Sequence, residues 1–245
     1  MEFREYQSLA DRETTYFWHV GRREILKEAL LRYLKDPTNL SILDIGCGTG
    51  GNIILLKEFG NVTGIDFSDE ALRLASGKGF DKLVCADATA MPFPDNTFDL
   101  VSALDTIEHI ADDLKVVQES FRVLKRGGIF LVTVPAYPWL WSQHDEAIHH
   151  VRRYYKKGLV NKLKKGGFKV LESSHFVSLA LPINLLRKLR DKFLRKEKES
   201  PKIYDIVFPP AINSILLFFL RCEKYWIRWL PLPIGTSIVA ICKKV

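Results

Sequence analysis

The segment Leu43-Asp44-Ile45-Gly46-Cys47-Gly48-Thr49-Gly50-Gly51-Asn52 constrains this chain more than any other. A short apolar strand, Ser41 to Ile45, runs into glycines at positions 46, 48 and 50, and a helix is expected over 51–59. Glycine at such a turn allows a tight reversal and lets the backbone lie against a ligand with no Cβ in between. A strand feeding a helix through a glycine turn opens an α/β unit, whose ligands sit beyond the carboxyl ends of the strands. The acid before the turn is Asp44. A second strand, Val62 to Asp66, ends in an acid able to accept both hydroxyls of a ribose. The glycine spacing is not GxGxxG, which disfavours a nicotinamide-dependent dehydrogenase.

The remainder of the chain alternates in the same manner. Helices are expected over 12–35 and 112–124, with another starting at Ser68-Asp69-Glu70, where a hydroxyl caps the first turn and acids meet its positive end. Further strands fit 82–86, 98–103 and 128–134. Short apolar strands separated by helices imply crossover connections and a parallel sheet covered on both faces. The first 135 residues therefore predict a doubly wound, mostly parallel α/β sheet. After Pro135 come an aromatic- and histidine-rich loop (136–154), a basic helix near 155–165 and two last strands at 169–172 and 237–241. This gives seven strands in one domain over 1–245. An N-terminal cap helix occupies 1–36, the core spans 37–178 and 235–245, and a helical insert fills 179–234.

The insert places Leu185, Leu186, Leu189 and Phe193 on one helical face, with Arg187, Lys188, Arg190, Lys192, Arg195, Lys196 and Lys198 around the rest. A second helix is expected from Pro209-Pro210 to about Leu230, apolar nearly all round, with Ser214, Arg221, Lys224 and Arg228 on a narrow stripe. Its uncharged stretch is about half the ~20 residues that cross a bilayer. A lid, an element in an anionic membrane surface (180–232) and a dimer interface are the three readings of this insert.

Apolar residues make up 47% of the 245 and charged residues 27%, which excludes a disordered chain and a disulfide-stapled miniprotein. The four cysteines have no CxxC pair or zinc spacing, and residues 1–15 are polar and mixed in charge, so a reducing, cytoplasmic setting is expected. The net charge of +7 conceals an asymmetry. Residues 1–150 carry 15 Lys+Arg against 23 Asp+Glu, whereas residues 151–245 carry 21 against 6. Either the second part meets an anionic surface, nucleic acid or phosphorylated substrate, or it is a solvated basic face.

Four motifs in order now carry a resemblance: Asp44 to Gly50, Asp66, Cys85-Ala86-Asp87-Ala88 and Met91-Pro92-Phe93-Pro94-Asp95-Asn96-Thr97-Phe98-Asp99-Leu100-Val101. The Leu124-Lys125-Arg126-Gly127-Gly128 turn adds a fifth feature. Together the chain resembles the class I S-adenosylmethionine-dependent methyltransferases, including small-molecule enzymes of the ubiquinone-pathway kind. The resemblance implies a Rossmann-like sheet and S-adenosylmethionine as cofactor, with S-adenosylhomocysteine as product. It implies that the methionine part lies over Gly46, Cys47, Gly48 and Gly50, near Asp44. Asp66 would take the ribose, Phe67 the adenine face and Asp87 the exocyclic amine, with Ala88 and Asp105 also lining the cofactor.

Asp105-Thr106-Ile107-Glu108-His109 resembles the acid-x-x-Glu-His element of methyltransferase groups that hold a divalent metal, with a shorter first acid here. On that resemblance Asp105, Glu108, His109 and His144 are the candidate metal ligands, against the alternative of a metal-free acceptor pocket. Without a metal, His144 is the expected general base, Asp145 would orient its ring and His109 would line the reaction. Arg152-Arg153-Tyr154 either grip an anionic part of the acceptor or cap the following helix. In Tyr16-Phe17-Trp18-His19 and Arg22-Arg23, one arginine is in reach of the cofactor carboxylate or the aromatics are core; Trp139 and Trp141 suggest an apolar or ring-shaped acceptor. The expected reaction is methyl transfer to a small-molecule or lipid-like acceptor at oxygen. RNA methylation and cofactor binding without turnover are the alternatives, and nucleic acid is the less favoured partner.

Overall fold

Strands β1 (Leu40–Ile45), β2 (Gly60–Asp66), β3 (Leu83–Cys85), β4 (Phe98–Leu104), β5 (Leu124–Pro135), β6 (Lys169–Phe176) and β7 (Ser237–Lys243) form one sheet in the order β3-β2-β1-β4-β5-β7-β6. The computed structural model describes residue 7, residues 10–193 and residues 208–245. The first five strands are parallel, while β7 runs antiparallel between β5 and β6. The seven-stranded, doubly wound reading is therefore correct, and the late pair closes the sheet as a hairpin-like edge.

Alternate residues of each strand supply two cores. Ile42, Leu100, Leu131 and Val239 face helices α1 (Phe17–Leu31), α2 (Ile53–Leu56), α3 (Asp69–Gly77) and α8 (Pro210–Trp229). Leu43, Ile45, Val101, Phe130 and Ala240 face α4 (Asp113–Val123) and α6 (Lys156–Lys165). Full burial on both sides explains why the central strands read as near-continuous apolar runs. Ser68 caps α3 as expected, its hydroxyl accepting the Ala71 N–H at 3.2 Å.

The boundaries depart from expectation in instructive ways. Helix α2 has one turn rather than nine residues, because the chain must return at once to β2. There Gly60 lies so close to Leu40 that a Cβ would meet its carbonyl oxygen at 2.1 Å. Strand β5 begins at Leu124, four residues early, carried through the turn by Gly127 at φ +82°. The 136–154 segment contains α5 (Gln143–Ala147), a helix too short to show periodicity, which starts with a capping box between Ser142 and Asp145.

In the insert, α7 (Ala180–Phe193) and α8 are present, and α8 starts at the expected proline. Arg195, Lys196 and Lys198 lie outside the described residues. No helix of the described residues is long and apolar enough to cross a membrane. Helix α8 crosses α1, where Leu220 fills the space a side chain at Gly21 would occupy.

Candidate cofactor crevice and acceptor site

The strand order reverses between β1 and β4, so a crevice opens at their carboxyl ends, the place where open α/β sheets bind ligands. The three turn glycines have different reasons to be glycine. Gly46 (φ +67°) faces Thr106, whose methyl carbon would lie 2.4 Å from an added Cβ. Gly50 (φ +89°) abuts the Phe80 ring. Gly48 (φ +54°) has nothing within 4 Å of that position, so its backbone is bare toward the crevice. That open space is the cradle a ligand needs.

Asp66 closes the floor of the cradle. Its Oδ2 accepts the Gly48 N–H at 2.8 Å and its Oδ1 the Ser68 N–H at 2.9 Å. A carboxylate has about four lone-pair positions, so one remains on each oxygen for a vicinal diol. Phe67 is 84% exposed beside it. Asp87 is also exposed, and two hydrogen bonds from Thr89 to Oδ1 hold its carboxyl below the usual range. Ala88 is buried in the core beneath.

Asp44 lies under the turn, 1% exposed. Burial pushes its carboxyl up to about 7, only partly opposed by the Ser102 hydroxyl, which donates to Oδ1 at 2.7 Å. Its Oδ2 has no hydrogen-bond partner. A buried acceptor left open below a bare glycine turn fits a cationic or donor-bearing ligand above it. The residues therefore fit S-adenosylmethionine: backbone for the methionine part, Asp66 for the ribose, Phe67 and Asp87 for the base.

A strap crosses the outer side of the turn. Glu13 is buried and accepts from the Thr49 hydroxyl and from Lys78, while Arg23 donates to the carbonyls of Glu13 and Gly51. Of the two arginines of the entry helix, Arg22 is tied inward. It is buried, 3.1 Å from Asp105 and 2.7 Å from the Thr133 hydroxyl. Asp105, in a left-handed conformation (φ +52°), is occupied by that ion pair and by Thr133. Its carboxylate thereby fixes Arg22 at the rim of the crevice. His19 lies near the same charges, and desolvation, then Arg22, lower it to about 4.

The acceptor side is built from the short helical turn Ile107–His109 and the loop after β5. Glu108 is 0% exposed, neither oxygen is hydrogen-bonded, and burial followed by the Asp105 charge holds it well above the carboxylate range. His109 packs edge-on to His150 with ring centroids 4.7 Å apart; desolvation, then His150, lower it to about 4. Asp145 is engaged with His150 and Arg153. It accepts from His150 Nδ1 at 2.8 Å and from Arg153 at 2.6 Å, so His150 is the ring with a fixed orientation, its Nε2 3.8 Å from Glu108.

The candidate ligand set changes in the same way. Glu108, His109 and His150 bring donor atoms within 4.8 Å of one another, whereas Asp105 and His144 are not in this group. One carboxylate and two imidazoles suit a transition ion. The sequence signal for His150 was present in His144-Asp145-Glu146-Ala147-Ile148-His149-His150, but nothing there said which imidazole Asp145 would meet.

Neither arginine of the 152–154 motif is free to grip an acceptor. Arg152 pairs with Asp113 at 2.7 Å and Arg153 with Asp145, while Tyr154 is buried and donates to Asp113 at 2.6 Å. Arg152 and Tyr154 fasten the acceptor loop to α4, and Arg153 ties the loop to its own helix α5. Trp139 is partly exposed, with its carbonyl and ring near Lys188 of α7, and Trp141 reaches Glu146.

Comparison with known proteins agrees with this geometry. Residues 43–132 match the family described as "Methyltransferase domain". A cycloartenol-C-24-methyltransferase of Oryza sativa subsp. japonica is 33% identical over 150 residues, covering 55% of this chain and 42% of the relative. A 2-methyl-6-phytyl-1,4-hydroquinone methyltransferase of a Synechocystis strain is 37% identical over 116 residues, covering 45% and 35%. The chain thus spans less than half the length of these two curated relatives. Among solved structures, an S-adenosylmethionine-dependent methyltransferase of Thermotoga maritima superposes with a TM-score of 0.62 at 17% identity, covering 99% of this chain and 96% of that one; this likeness speaks to the fold. Residues 43–132 are thus similar to a methyltransferase domain, on a sheet whose strand order and glycine turn belong to the Rossmann-like methyltransferase fold.

Proposed function

We propose that this protein transfers the methyl group of S-adenosylmethionine to an oxygen of a small, lipid-like acceptor. The observation that carries the reading is the receptive rim at the ends of β1 to β3. Gly48 leaves open space, Asp66 keeps a lone pair on each oxygen, and Phe67 and Asp87 face solvent. Bound there, S-adenosylmethionine supplies a methyl group on a sulfonium, an activated leaving group.

The chain's own work is then positional. Asp66 holds the ribose, the glycine turn fixes the methionine part, and the Ile107–His109 turn and 136–154 loop align an acceptor in line and exclude water. His150, held by Asp145, is the proposed general base, replacing His144 in that role, with His109 beside it. An imidazole base suits a hydroxyl acceptor, which supports oxygen as the methylated atom. The lipid character is supported by the names of the two relatives, a sterol and a phytyl-hydroquinone methyltransferase, and by the aromatic rim at Tyr137 and Trp139.

The test is transfer of labelled methyl from S-adenosylmethionine into an extract of the source cells, partitioned into organic, aqueous and RNA fractions. The expected label is organic-soluble and base-stable as an ether. Label in RNA would overturn the acceptor class. No label, with intact S-adenosylhomocysteine binding, would make the protein a cofactor-binding scaffold.

A further inference from the structure

Helix α8 has two apolar faces, and among the described residues only one is packed against the domain. Its inner face is fixed to the domain: Leu220 and Ile227 are buried, and Asn213 joins the Phe17 N–H at 2.8 Å and the Thr15 carbonyl at 3.0 Å. Arg221 and Lys224 pair with Glu24 of α1, and buried Glu223 accepts from the backbone of Val177 and Ser178. So many ties from one side fix which face points outward. At 100° per residue, Ile212, Ile215, Phe218, Phe219, Tyr225, Trp226 and Trp229 share the opposite arc of about 140°. All are exposed, Phe218 at 61% and Trp226 at 66%, and no charged residue of α8 falls within the arc. The 20-residue helix is about 30 Å long. Leu185 and Leu186 of α7 are exposed as well.

We infer that this outer face of α8 docks the protein on an anionic lipid surface, with the helix lying in the interface plane. Three observations select a lipid surface as the occupant. The arc is rich in Trp, Tyr and Phe, side chains that settle at the headgroup level. The insert is cationic in sequence: residues 179–234 carry 11 Lys+Arg against 5 Asp+Glu, within a half that carries 21 against 6. And the helix is long enough to cover an interface but not apolar enough to cross it. Docking also serves the proposed reaction, since α8 lies directly on α1, whose Arg22 and His19 border the crevice at Asp105. A lipid-like acceptor would then leave the membrane one helix away from the site. The inference stands on the surface itself and does not require that methyl transfer be correct.

The experiment is flotation of the full chain with vesicles of phosphatidylcholine containing about 30% phosphatidylglycerol at low salt. In parallel, tryptophan fluorescence is read with brominated acyl chains in the same vesicles. Expected results are binding, quenching by the brominated lipid and at least tenfold weaker binding to pure phosphatidylcholine. The double variant Phe218→Ser, Trp226→Ser should need at least tenfold more lipid while keeping the far-UV spectrum and S-adenosylhomocysteine affinity of the wild type. The quenching reads the wild type alone, so it holds even if the variant misfolds. Failure to float, binding without quenching, or equal binding by a folded variant would overturn the inference. So would a wild-type dimer that the variant converts to monomer without lipid, since a second copy would then cover the face. Because S-adenosylhomocysteine binding is read in the same samples, loss of the cofactor reading and loss of the docking reading give different results.

Discussion

Replacing Asp44 by Asn should stabilise the ligand-free protein at alkaline pH, although it removes a charge from the centre of the site. The carboxyl is buried and pushed from its ordinary 3.8 up to about 7. Below pH ~4 it is protonated in both folded and unfolded chains and costs nothing. Between about pH 4 and 7 the unfolded chain ionises while the folded one holds its proton, so stability falls as pH rises. Above about 7 the loss levels off at roughly 4 kcal/mol, from about 1.36 kcal/mol for each tenfold difference in proton affinity between the folded and unfolded chains. Asparagine removes that loss and still accepts from Ser102. Its amide, placed where Oδ2 has no partner, costs about 2 kcal/mol as an unsatisfied buried donor. The net gain is about 2 kcal/mol at pH 8 and near zero at pH 5, where the penalty that has developed roughly matches the cost of the amide. At 2–4 °C per kcal/mol for a chain of this size, the variant should melt roughly 4–8 °C above wild type at pH 8 and level with it at pH 5. Calorimetric melting of both proteins across this range is the assay. A variant less stable by the same amount at every pH would show that Asp44 is ionised and satisfied in the folded protein, and would refute the reasoning.

Other outcomes follow from the same geometry. Gly48→Ala places a methyl in open space at φ +54°, so it should lower the melting temperature by only about 2–8 °C, from ~1–2 kcal/mol of left-handed strain, while reducing S-adenosylhomocysteine affinity at least tenfold in a calorimetric titration. Gly46→Ala drives a Cβ to 2.4 Å from Thr106 and should cost clearly more stability in the same melting experiment. Burial alone would raise the Asp145 carboxyl, but His150 and Arg153 outweigh it and hold it below its ordinary value of 3.8. Its stability contribution is therefore present above pH ~4 and lost in stronger acid, so the destabilisation by Asp145→Asn should be full at pH 7 and shrink as melting is followed down to pH 3. His150→Gln should lower kcat for methyl transfer by about 10²-fold or more with little change in cofactor affinity, whereas His144→Gln should leave kcat within a few-fold.

The cofactor half was legible because each of its parts obeys local rules. A glycine turn needs alternate glycines, a strand end presents its last acid, and two-sided burial writes apolar runs; Gly48, Asp66 and all seven strands follow from that. The acceptor half depends on long-range pairing that no local pattern encodes. Asp145 has histidines one residue before it and four and five after it, and the loop's return to Glu108, through the Val151 N–H at 2.9 Å, decides that His150 receives it. Arg22 and Asp105 are 83 residues apart, and only the crossing of α1 over β4 and β5 turns two candidate ligand contacts into one internal ion pair. Arg152 and Arg153 likewise look free in sequence and are absorbed by Asp113 and Asp145. Helix α5 was lost for a different reason: its five residues are below the length at which a 3.6-residue period can be read, whereas the helix expected at 51–59 is present but shortened to the single turn of α2.

The central claim is that the crevice over the Gly46–Gly50 turn holds S-adenosylmethionine through Asp66, and calorimetric titration of S-adenosylhomocysteine into wild type and Asp66→Asn tests it most directly. The account predicts one site per chain in the wild type. It predicts a loss of roughly 30-fold or more in the variant, from weakening two hydrogen bonds to a charged acceptor at ~1–1.5 kcal/mol each or more. No heat in the wild type, or equal affinity in the two proteins, would contradict it.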